Sequence, residues 1–229
     1  MLAPTGGAWV FTPGQGNAAH AVLMRIRTVL PTLAALLLLA AGAPAMAYES
    51  PDYRVLSQAD GYEVREVAAH LAVETTVQGS YSQSRNRAFR RLFDYIQGNN
   101  TARGKIAMTV PVTSQPASQK VAMTVPVTSA PAGGGHTMQF VLPKAFDRDT
   151  APVPNDPAVR LVDIPAEKVA VRRFSGLSSE SNWRENEAEL LAALARDGLE
   201  AAGPSRFAVY NGPITPWFMR RNEVVVPLR

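Results

Sequence analysis

Apolar and polar residues alternate with a period of two along several stretches of this chain and with a helical period along two others. Ile106, Met108, Val110 and Val112 alternate with Ala107, Thr109, Pro111 and Thr113, the pattern of a strand with one face turned to a core. Residues 120–129 repeat nine of the ten residues of 105–114, with Val121 in place of Ile106. Joined through residues 115–119, the two copies predict a hairpin. Pro111 and Pro126 lack an N–H, which confines each to a sheet edge, a strand end or a bulge. A fainter correspondence covers most of the chain. Residues 62–79 align with 159–176 at an offset of 97, matching Val64 with Leu161, Val67 with Ile164 and Gly79 with Gly176. Each stretch predicts strand, turn and strand, and each is followed by a helix.

In the first helix Phe89, Leu92, Phe93 and Ile96 share one face, and Gln97-Gly98-Asn99-Asn100 stops it. In the second, Ser179 or Ser181 supplies the N-cap, Trp183, Glu187, Leu190, Leu191 and Leu194 recur at helical spacing, and Asp197-Gly198 ends it. Further strands are predicted over 138–142, 206–210 and 223–228, and the proline-rich residues 147–157 read as the connector between halves. Two strand-rich units with one helix apiece imply an α+β domain in which each helix covers part of an antiparallel sheet.

The N-terminus changes what belongs to that domain. Arg25 and Arg27 precede an Ala/Leu run, and Ala45-Met46-Ala47 follows it, the arrangement of a secretory signal peptide. The apolar run, residues 33–41, is far shorter than the ~20 residues of a spanning helix, so no membrane anchor is expected after cleavage. Met24 stands directly before the basic pair. Residues 1–23 are therefore expected to be an upstream start-site extension, 24–47 the signal peptide and 48–229 the domain, placed in the periplasm or secreted.

Composition then removes several chemistries. The chain has no cysteine and three histidines, which excludes thiolate metal sites, covalent haem attachment and a cysteine nucleophile. Of its 23 Lys and Arg, two lie in the leader; the rest exceed the 19 Asp and Glu by only two and are interspersed with them, so no nucleic-acid partner is expected. No Ser-His-Asp set in motif context and no phosphate-cradling loop is present, because Gly133-Gly134-Gly135 lacks the lysine and the strand-to-helix setting of a P-loop. The expectation is a binding protein and not an enzyme.

Three segments in order, residues 95–100 (YIQGNN), 105–112 (KIAMTVPV) and 220–224 (RRNEV), resemble the signatures of the SOUL haem-binding protein family. The resemblance runs from about Tyr53 to Leu228. It implies a distorted antiparallel β-barrel of two pseudo-symmetric halves, each with one helix, that binds haem or a related tetrapyrrole non-covalently for buffering or transport. The alternative is a module for another amphipathic small molecule, or a protein-interaction domain without haem.

A porphyrin is a flat apolar plate with two carboxylates, so its site needs an apolar slot with basic groups at the rim. The family's apolar slot positions correspond to Phe89 and Phe93. Its flanking basic positions fall on Asn86 and Asp94, a departure that leaves Arg85, Arg87, Arg90 and Arg91 on the same helix, with Arg90 taken as the candidate for a propionate. The histidine proposed as iron ligand in some members falls at Glu66, so His70 becomes the candidate axial ligand. Met108, Met123, Met138 and Met219 are read as core filler before thioether ligands, and His136 is expected on a flexible loop. Arg221 is expected to pair with Glu223 and with Glu66 or Asp163, fixing the last strand.

Overall fold

The structure, a computed structural model, describes residues 48–103 and 117–229. The proposed extension and leader, and the first decapeptide copy with Met108, lie outside the described residues. The elements run β1 (Tyr53–Ala59), β2 (Tyr62–Val67), β3 (His70–Gln78), α1 (Tyr81–Ile96), β4 (Asn100–Thr101), β5 (Val127–Ala132), β6 (Gly135–Val141), β7 (Val153–Pro154), β8 (Val159–Ile164), β9 (Glu167–Phe174), α2 (Glu180–Arg196), β10 (Arg206–Val209) and β11 (Asn222–Pro227). Nine strands form one antiparallel sheet in the order β1-β2-β9-β11-β10-β5-β6-β3-β8, and β4 pairs with β7 apart from it. The sheet curls into a half-barrel whose edges are β1 and β8. This is the α+β, barrel-like architecture expected from the sequence.

Strands of the first half bond to strands of the second. Val64 lies opposite Ala170 in the β2–β9 pair, and Val73 lies opposite Leu161 in the β3–β8 pair. A shift of 97 residues carries Val64 to Leu161 and Val73 to Ala170, so it exchanges one pair for the other.

Alternation along the strands divides the sheet into two faces. One face carries both helices and two separate apolar clusters. Around α1, Ala88, Leu92, Tyr95 and Ile96 pack on Leu71, Val73, Met138 and Phe140. Around α2, Trp183, Leu190 and Leu194 pack on Val64, Ala170, Phe207, Val224 and Val226. A side chain such as Leu92, which exposes none of its surface, contributes roughly 1.5–3 kcal/mol by leaving water. Ser179 caps α2 by accepting from the Asn182 N–H at 3.3 Å, as expected.

The face of α1 differs from the expected one. Leu92 and Ile96 are buried, but Ala88, Ser84 and Tyr95 complete the core face, whereas Phe89 and Phe93 lie to its side, 39% and 40% exposed. The small Ala88 and Ser84 let the helix approach the sheet, and that approach sets the helix rotation.

The second decapeptide copy is also not the strand its alternation predicts. Residues 119–124 are without strand pairing, and β5 starts only at Val127, after Pro126. Pro126 thus sits at a strand end, where its missing N–H interrupts no ladder. The hairpin that does form joins β5 to β6 through Gly133 and Gly134. Gly135 touches β3 so closely that a Cβ there would stand 2.2 Å from the Val77 carbonyl oxygen. His136 is accordingly on a strand and not on a flexible loop; its Nδ1 lies 3.0 Å from Ser84 Oγ and its ring packs edge-on to Tyr81.

Candidate functional site

Each helix covers its own strands, α1 over β3, β6 and β8, and α2 over β9 and β11. A gap is left over the end of β10 at Val209 and the start of β5 at Val127. A groove of about 450 Å³ opens there, within the roughly 300–1,000 Å³ of small-molecule sites. Its floor is Val127 and Ser129 of β5, Met138 of β6 and Val209 of β10, and one wall is Phe89 and Phe93. The two phenyl rings stack with centroids 5.8 Å apart, and Phe89 meets Phe140 edge-on at 5.4 Å. This arrangement presents a flat apolar surface to solvent.

The unpaired stretch around Met123 and Val125 also lines the groove, and the YIQGNN motif holds that stretch in place. Asn100 donates from Nδ2 to the carbonyls of Tyr95 at 2.7 Å and Gln119 at 2.8 Å, and its Oδ1 accepts from the Gln119 N–H at 2.9 Å. The Val121 N–H donates to the Ile96 carbonyl at 2.8 Å, just beyond the helix end that Gly98 closes with φ +116°. Tyr95 donates its hydroxyl to the Pro152 carbonyl at 2.9 Å, and burial pushes that phenol up to about 12, so it stays a donor.

Two arginines and no acidic residue line the groove among the described residues. Arg85 donates to the Ser178 carbonyl at 2.9 Å, and Arg220 to the carbonyls of Thr215 at 2.8 Å and Pro213 at 2.9 Å. Backbone carbonyls orient both guanidinium groups without cancelling their charge. The groove therefore favours an apolar plate bearing anionic groups.

The expected site residues do not all meet. Phe89 and Phe93 come together in the groove, but Arg90 does not line it: it is exposed on a neighbouring part of the helix, and Arg85, one turn before Phe89, takes the place expected of it. His70 also lies apart from the groove. It begins β3, its Nδ1 lies 2.9 Å from the Ala68 carbonyl, and it borders cavities away from Phe89 and Phe93. Glu66 is exposed and bonded to Arg54 at 2.8 Å. Among the described residues no histidine lines the groove, and no three His, Asp or Glu side chains converge as a metal site. Arg220 and Met123 were legible in sequence only as parts of motifs, since their relation to the groove depends on folding.

The other face of the sheet encloses a smaller cavity, about 160 Å³, walled by Val67, Val141, Val169 and Val171. At its side lies a cluster of paired charges. Glu223, fully buried, accepts from Arg65 at 2.9 and 3.0 Å, from Arg221 at 2.7 and 2.9 Å and from the Tyr210 hydroxyl at 2.7 Å. Arg65 also bonds Glu63, and the Arg221 guanidinium lies 4.0 Å from the Tyr210 ring centroid. Arg65, not Glu66 or Asp163, is thus the partner that joins the expected Arg221–Glu223 pair. Glu66 and Asp163 pair instead with Arg54 and Arg148. Burial opposes ionisation of Glu223, but the Arg65 bonds and charge, with Tyr210 and Arg221, outweigh it and hold the carboxyl below its ordinary range. Both carboxylate oxygens are engaged, which marks the cluster as a structural fixture.

Comparison with known proteins bears on the family and the fold. A heme-binding protein 2 of Homo sapiens is 29% identical over 196 residues, spanning 79% of this chain and 90% of that protein. The Mus musculus heme-binding protein 2 is 26% identical over 199 residues, spanning 80% and 92%. In fold, the chain is similar to the EcmrR C-terminal domain, with a TM-score of 0.53 at 11% identity, covering 77% of this chain and 98% of that one. The profile described as SOUL heme-binding protein matches residues 48–227, nearly the whole described domain, and on that match the chain belongs to the SOUL haem-binding protein family.

Proposed function

We propose that the groove beside α1 binds haem or a related tetrapyrrole non-covalently, and that the protein buffers or carries it in the periplasm or outside the cell. The observation that carries the reading is the stacked Phe89–Phe93 face in a groove that Met123 also lines and whose charged lining residues are both arginines. Such a groove fits a porphyrin: the rings and methionines would take the plate, and Arg85 and Arg220 its two carboxylates. The bound group would supply its own iron chemistry. With no histidine among the described lining residues, this chain's contribution is shape, apolar contact and charge, and the proposed role is binding. Membership of the family and the names of the curated relatives support the ligand class; the leader-like residues 24–47 support export.

Hemin titration of the protein tests the reading. A saturable Soret shift, at least tenfold weaker in Phe89→Ala/Phe93→Ala with its fold intact, is the expected result. Unsaturable absorbance changes, or an unchanged affinity in the double variant, would remove haem or the groove respectively. Another amphipathic anion that displaced hemin competitively would make the groove a site for that class.

A further inference from the structure

The segment between β10 and β11 carries the largest exposed apolar side chains of the described domain. Ile214 is 95% exposed, Trp217 60%, Phe218 60% and Met219 65%, and Leu177, 60% exposed, stands beside them because the Gly176 N–H donates to the Trp217 carbonyl at 2.9 Å. These residues are held out from the core. A single 3₁₀ turn over Trp217–Met219, bonds from Arg220 back to Thr215 and Pro213, and the Met219 N–H on the Pro216 carbonyl fix the loop with its apolar side chains outward. Single exposed apolar residues are ordinary, but four together in one built loop, with Leu177 on the adjoining segment, mark a contact surface.

Charge decides what the surface contacts. From residue 201 to 222 there is no Asp or Glu; of the arginines in that stretch Arg206 is paired with Glu167 and Arg221 with Glu223, which leaves the charge of Arg220. Arg220 and Arg85, at the base of the loop, bond only carbonyl oxygens among the described residues, so their positive charge is uncompensated there. A tip of Trp, Phe, Ile and Met backed by arginine, without acidic residues, matches a bilayer interface with anionic headgroups, where aromatic rings settle at headgroup depth and cations meet phosphate. The loop is also continuous with the groove, since Gly212, Pro213 and Arg220 line it.

We propose that the loop over residues 212–220 docks the domain on an anionic phospholipid surface, with Ile214, Trp217 and Phe218 entering the interface and the groove mouth beside it. Docking does not depend on the identity of the groove's ligand, because none of those three residues lines the groove.

The absence of cysteine allows one unique label. The full chain carrying Met219→Cys with an environment-sensitive fluorophore is mixed with phosphatidylcholine–phosphatidylglycerol vesicles and followed by emission and flotation. The expected result is a blue-shifted label shielded from an aqueous quencher, little shift with phosphatidylcholine alone, and at least tenfold weaker labelled-loop insertion in I214S/W217S/F218S. A label at Asp149→Cys, on a remote exposed turn, should not respond. The proposal is overturned if the chain floats while the label at 219 stays in water, because the apolar N-terminal run then does the binding. It is equally overturned if the label at 219 is already shielded without lipid in a dimer that the triple variant dissociates, or if the triple variant inserts like its parent. Hemin affinity of the triple variant in lipid-free buffer should match the parent, which separates this proposal from that of the groove.

Discussion

The groove beside α1 and the cavity on the opposite face share β5, β6 and β10, yet they are built in contrary ways. The cavity has buried charge in abundance, and that charge is spent on itself: Glu223 accepts bonds from three neighbours, and Arg65 is shared between Glu223 and Glu63. The groove has no acidic lining residue; its phenyl rings pack on each other and on Phe140 yet stay partly exposed, and its two arginines bond only backbone carbonyls among the described residues. Fully paired ions stabilise one arrangement of strands and leave nothing for a ligand. Uncovered apolar surface with a cationic rim does the reverse, for it costs a little stability and can be repaid only by an occupant.

The sharpest way to break this contrast is Glu223→Ala. It leaves Arg65 buried beside a lost partner, and unfolding in urea should show a loss of about 3–5 kcal/mol. Hemin affinity of the remaining folded protein should barely change; a large loss of affinity with intact stability would transfer the ligand to the wrong face. Acid offers a second test. Because the folded pKa of Glu223 is depressed, its stabilising contribution is complete above the ordinary value of 4.5 and disappears as pH falls through the folded pKa. Stability should therefore decline with falling pH below about 4.5, and Glu223→Gln should flatten that slope.

On the groove side, Phe89→Ala/Phe93→Ala should weaken hemin at least tenfold while costing only about 1–2 kcal/mol of stability, since both rings are already partly exposed. Losing as much stability as Glu223→Ala would show that the rings are core. Arg85→Ala and Arg220→Ala should each reduce affinity a few-fold, an effect that added salt diminishes, as for solvent-facing charges. The smallest effect belongs to His70→Ala, for which the Soret spectrum and affinity of the hemin complex should remain those of the parent. A displaced Soret band would make His70 a ligand despite its position away from Phe89 and Phe93.

Much of the fold was legible because it depends on neighbours in sequence. The cap at Ser179, the stop at Gly98 and the two strand–turn–strand units followed by helices follow from local sterics, hydrogen bonding and periodicity. The decapeptide shows where periodicity misleads: residues 119–124 alternate like a strand but bond to Ile96 and Asn100 instead of a ladder. The site was half legible. Phe89 and Phe93 were identified from the family's pattern, whereas Arg85 and Arg220 are separated by most of the domain and meet at the groove only through the fold.

By itself, the sequence determined the two strand–helix units, the family signatures and the absence of thiol chemistry, because each depends on residue type and short spacing. Only the tertiary structure decided that Arg65, 158 residues before Glu223, and not Glu66 or Asp163 joins the Arg221–Glu223 pair, that His70 lies apart from the phenylalanines, and that a groove exists at all. The physical reason is that the groove is an absence: each helix buries its apolar face on its own cluster, and the gap at the Val127–Val209 pair is bordered by one side of α1, the ends of β5 and β10 and the loop before β11, which only folding brings together.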